Sequence, residues 1–104
     1  MKSAPIPQMP EEKLIHRIAG NLARDLRTES EETRTNALND IQNDEDETVA
    51  WIASNLPDWT MVEMMDMKES VRVSNPEHTA KQIFVELKKM LVKELASVPI
   101  SKHV

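Results

Sequence analysis

Apolar positions along this chain recur at spacings of three and four, the signature of helices with one buried face. The first such stretch runs from Pro10 to about Arg27, with Leu14, Ile15, Ile18, Ala19, Leu22, Ala23 and Leu26 inward. Pro10 suits an early helical position, and Glu11 and Glu12 suit the positive end of the dipole. The opposite face carries Lys13, His16, Arg17, Arg24 and Arg27. A T-x-x-E capping box at Thr28 and Glu31 predicts a second helix from about residue 29, with a thin apolar stripe of Ala37, Leu38 and Ile41. Asp44 and Glu47 have the same cap spacing and predict a third helix reaching Leu56, with Val49, Ile52, Ala53 and Leu56 inward. These apolar positions stay in phase across the acidic run, so one helix over residues 31–56 is the alternative.

Pro57-Asp58 predicts a break, because the residue before a proline disfavours helix. Thr60 and Glu63 again have capping-box spacing. A helix over about 59–69 would carry Met61, Val62, Met64, Met65 and Met67, leaving a narrow polar strip of Glu63 and Asp66. Val71-Arg72-Val73 is too short to read as a strand. Asn75-Pro76-Glu77 is a strong helix start. The last helix should reach about Ser97 with Ala80, Ile83, Phe84, Leu87, Met90, Leu91, Leu95 and Val98 inward, and Pro99 stops it. Val85, Val92 and Ala96 form a second stripe beside Lys81, Lys88 and Lys89. Its seven-residue spacing is compatible with a homodimer. The expected architecture is all-α: one bundle-like domain of four to five helices over residues 10–98. A flexible Pro-containing arm over 1–9 precedes it and a tail over 99–104 follows.

Composition changes this picture mainly by exclusion. The chain has 104 residues, no Cys and one Gly, so it offers no thiolate metal site and no glycine-rich phosphate loop. The three histidines lie in separate segments. Asp44 and Asp46 resemble the start of a calcium loop, but its glycine and its twelfth-position Glu are missing. No Ser, His and Asp form a nucleophile motif, and the aromatics are only Trp51, Trp59 and Phe84. No enzyme activity, metal or cofactor is expected. The N-terminal stretch lacks the apolar run of a secretory signal, and no stretch has the length of a membrane span. A cytoplasmic protein without a membrane partner is expected, of the kind met among small accessory proteins of bacteria and phages.

Charge then sharpens the functional reading. The net charge is −5, but residues 28–47 hold eight acids against Arg34 alone, while both ends of the chain are mildly basic. An acidic face can steer a basic partner and set specificity. Methionine-rich helix surfaces are adaptable, and tryptophan is enriched at interface hot spots. The sequence therefore reads as a small protein-interaction module, such as an inhibitor, adaptor or regulatory subunit. Its candidate contacts are Glu31, Glu32, Asp44 and Asp46 together with Trp59, Met61, Met64 and Met65. The alternative partner is DNA, read by a helix-turn-helix-like pair. There His78, Lys81 and Gln82 on the last helix would approach bases, and Arg17, Arg24 and Arg27 would approach phosphates.

Overall fold

The computed structural model describes residues 6–100. It is all-α, with five helices and no strand among the described residues: α1 (Glu11–Thr28), α2 (Glu31–Asn43), α3 (Glu45–Met67), α4 (Pro76–Met90) and the short α5 (Val92–Leu95). α4 is the central element and packs along both α1 and α3, while α2 closes the far end against α3 and α5. The core joins Leu14, Ile18, Ala19 and Ala23 of α1 to Ile52 and Leu56 of α3 and to Ala80, Ile83, Phe84 and Leu87 of α4. Each fully buried Leu, Ile or Phe contributes roughly 1.5–3 kcal/mol by leaving water.

The helix starts follow side-chain chemistry, with one shift. Asn75 accepts a hydrogen bond from the His78 N–H, and Pro76 takes the first turn of α4, as the sequence predicts. The capping box expected at Thr28 and Glu31 is not used. Thr28 still belongs to α1, where its hydroxyl donates to the Asp25 carbonyl at 2.8 Å, and Ser30 caps α2 by accepting from the Thr33 N–H. Both residues can cap, and the one beyond the completed turn of α1 takes the role. A single helix over 31–56 does not form. Asp44 ends α2, and its side chain accepts from the Glu47 N–H to start α3. The competing local hydrogen bond of an Asp breaks a pattern that apolar phasing alone would continue.

The largest departure lies at Pro57. The expected break at Pro57-Asp58 is absent, and α3 runs through it for 23 residues. An internal proline forfeits one backbone hydrogen bond and costs about 3 kcal/mol. Here Ile52 and Leu56 are buried before it, Thr60 and Glu63 after it, and Pro57 itself faces solvent. Burial on both sides outweighs the local penalty. Trp51 and Trp59 also meet edge to face across the proline, with ring centroids 5.3 Å apart. Thr60 therefore lies inside the helix, with a buried hydroxyl that finds no partner, instead of capping a new one. α3 ends at Lys68, which takes a left-handed conformation with φ 55°.

The expected last helix to Ser97 is interrupted at Leu91. Arg27 explains the stop, since its Nη2 donates to the Met90 carbonyl at 2.9 Å and satisfies a helix-end acceptor. Gln42 of α2 reaches the Leu95 and Val98 carbonyls, holding the closing turn. At the other end, the arm expected to be flexible over residues 1–9 is anchored in its described part. Met9 is buried, its N–H donates to the Ser70 carbonyl at 2.6 Å, and the Ser70 N–H donates to the Pro7 carbonyl at 2.8 Å. Met9 supplies an apolar plug that a proline-based reading of the segment overlooks. Residues 1–5 of the arm and 101–104 of the tail lie outside the described residues.

Candidate interaction surface

The second half of α3 departs from its expected polar strip at Glu63. Glu63, assigned to the polar strip, is 2% exposed, whereas Met61 is 58% and Met65 72% exposed. The cause is on α1. Arg17 Nε donates to Glu63 Oε2 at 2.5 Å and Asn21 Nδ2 donates to Glu63 Oε1 at 2.6 Å. Two donors from one face of α1 satisfy both carboxylate oxygens, which makes the burial of a charge tolerable. With Glu63 inward, helical geometry sends Met61, Val62 and Met65 outward. Trp51, Val62 and Met65 then fall within about 60° of one another on the wheel, one stripe down the outer side of α3. Trp51 is 52% exposed and Val62 is exposed as well.

The methionine candidates come together. Met61, Met64 and Met65 line a shallow cleft with Ile6, and Lys68 and Glu69 stand at its edge. Met64 is half-buried, and Trp59 is half-buried against the core. Trp51 is the more exposed tryptophan. Sequence reasoning favoured Trp59 for its nearness to the methionines in the chain. A signal for Trp51 was present in its spacing of eleven from Val62 and fourteen from Met65, but only on the assumption of a helix crossing Pro57.

The acidic candidates form a second, separate region. Glu31 and Glu32 are exposed in the first turn of α2, and Asp46 is exposed in the first turn of α3 beside the capping Asp44. Asp44 and Met61 are separated by seventeen residues of α3, about 25 Å at 1.5 Å per residue. The two sets are thus joined by the Trp51 stripe and do not form one compact patch. Carboxylates crowd at the α2–α3 junction. The Glu47 carboxyl is held above its ordinary range, first by a hydrogen bond with the Asp44 side chain and then by the charges of Asp44 and Asp40. Among the described residues no Lys or Arg pairs with Asp40, Asp44 or Glu47.

The basic candidates fare differently. Arg17 is committed to Glu63, and Arg27 is committed to Glu94 at 2.9 Å and to the Met90 carbonyl. Lys13 meets Glu69 at 2.8 Å, and His16 stands 3.6 Å from Glu86. Arg24 is the exception: among the described residues its one ion pair is with Asp25, at 3.8 Å. The Arg27 contact also holds the Glu94 carboxyl below its ordinary range, chiefly through the hydrogen bond. His78, Lys81 and Gln82 are exposed on the early turns of α4. The connection between α3 and α4 spans residues 68–75, longer than the three to four residues of a helix-turn-helix.

Among the described residues no group of His, Asp and Glu is placed to hold a metal ion, and no helix is long and apolar enough to cross a membrane. Comparison with known proteins yields no match: no family model, no curated protein and no solved structure is significantly similar to this chain.

Proposed function

We propose that this protein is a small acidic interaction module that binds a basic protein partner through the outer side of α3. The observation that carries this reading is the second half of α3, with Glu63 inside and Met61, Val62 and Met65 outside. A helix that buries a carboxylate and exposes three large apolar side chains has an apolar surface in search of cover. Methionines adapt to an apolar partner surface, and the nearby acids would accelerate the approach of a basic one. An inhibitor, adaptor or regulatory subunit would use such a surface. DNA binding is the weaker alternative, because two of its three proposed phosphate contacts, Arg17 and Arg27, are already engaged within the chain.

A tagged pull-down from the source cell, with and without nuclease, tests the reading when wild type is paired with the Met61→Glu/Met65→Glu variant. A dominant protein captured by wild type, lost in the variant and weakened by added salt supports it. Equal capture by the variant rejects it, and recovery of nucleic acid alone favours the DNA-binding alternative.

A further inference from the structure

The acid-rich junction between α2 and α3 encloses more than charge. A cleft of about 290 Å³ opens there, with Ala37, Ile41 and Leu87 as an apolar floor and Asp40, Glu47 and Trp51 on its walls. An apolar floor, an exposed indole and two carboxylates are the three surfaces that a long cationic side chain presents for burial: its methylene stem, its π-face and its charge. The indole is available. In an edge-to-face pair with Trp59, at least one face of Trp51 stays uncovered by its neighbour. The carboxylates are available too. The acids facing α1, namely Glu63, Glu69 and Glu94, each hold an Arg or Lys, while Asp40 and Glu47 hold none among the described residues. The Glu47 carboxyl is raised, first by its hydrogen bond with the Asp44 side chain and then by the charges of Asp44 and Asp40, and a bound cation relieves such a crowding of negative charge.

We infer that this cleft receives an arginine side chain from a basic segment of a partner protein. The guanidinium stacks on Trp51 and bridges Asp40 and Glu47, and the stem lies over Ala37, Ile41 and Leu87. Arginine fits better than lysine because its planar, weakly hydrated head can stack and donate to two carboxylates together. This assignment rests on the protein-binding reading above and gives it a chemical specificity that the methionine surface lacks.

The test uses the full chain, uniformly labelled, titrated at low salt with the peptide acetyl-Ala-Leu-Arg-Leu-Ala-amide. Counterparts carry citrulline or lysine in place of arginine. Amide shifts that saturate at Ala37, Glu47 and Thr48, with the Trp51 indole N–H, are expected. Affinity should fall at least about tenfold for the citrulline peptide and for the Asp40→Asn/Glu47→Gln variant, since charge-assisted hydrogen bonds are lost. Trp51→Leu should weaken binding independently, and an unchanged urea midpoint shows that each variant is folded. Absence of saturable shifts, equal binding of the citrulline or lysine peptide, or shifts centred on Met61 and Met65 would overturn the assignment. The last outcome leaves the interaction module standing. That reading fails separately, when lysate capture survives Met61→Glu/Met65→Glu.

Discussion

On α1, Lys13, Arg17 and Arg27 each meet a carboxylate from another element, whereas residues 28–47 hold eight acids with Arg34 as the sole basic residue among them. Each region presents a face dominated by charge of one sign. The first binds the protein to itself, fastening α1 to α3, to the loop after it and to the closing turn. The second is left uncompensated and faces outward. A charged face is therefore a candidate for partners only after its internal commitments have been subtracted. The comparison also explains the methionines, since the same Arg17 that leaves the basic face pulls Glu63 inward and pushes Met61 and Met65 out.

The sharpest way to break this contrast is at Glu63. Glu63→Ala should destabilise the protein by about 2–3 kcal/mol, less than a fully buried pair because Arg17 keeps partial access to water. Arg17→Met combined with Glu63→Leu should recover most of that loss, because an apolar pair needs no charge compensation. Urea unfolding of the three variants measures both effects. A loss from Glu63→Ala below about 0.5 kcal/mol would show that the orientation of the second half of α3 does not depend on this contact.

A smaller effect is expected at the α2–α3 junction. Asp44→Ala, which removes a helix cap among the acids, should cost about 1 kcal/mol, while Asp46→Ala, two residues on and outside any cap, should stay within about 0.5 kcal/mol. Equal effects of the two would mean that charge, and not the cap, governs the junction. Arg27→Ala should cost about 0.5–1 kcal/mol at neutral pH, given that the guanidinium is half exposed. The Glu94 carboxyl titrates lower in the folded protein than in the unfolded chain. Its contribution is thus fully present above the unfolded carboxylate range and is lost as pH falls through the folded one. The gap between wild type and Arg27→Ala should narrow over that window when unfolding is repeated at descending pH, leaving only the Met90 carbonyl contact.

Much of the fold is legible along the chain. Leu14, Ile18, Ala23, Ile83, Phe84 and Leu87 are buried as their periodicity requires, and Asn75-Pro76 starts a helix where the cap chemistry places it. These are local or single-helix properties, and a repeat of 3.6 residues encodes them directly. The acid content of residues 28–47 and the apolar content of residues 61–67 are equally plain, as is the absence of cysteine and of a glycine-rich loop.

What tertiary structure decided is which side of each element faces inward, and whether a local signal prevails. Pro57 argues for a break, yet burial of residues on both sides of it holds one helix together. Met9 lies in a segment that reads as a tail, yet pairing with Ser70 buries it. On α3 the methionines cover most of the wheel, so the wheel alone leaves open which of them face inward. Arg17 and Asn21, more than forty residues earlier, decide it by supplying partners for one carboxylate. Periodicity is a sum over neighbours on the same helix. The direction a mixed face turns depends on donors carried by another helix, and only packing brings those within reach.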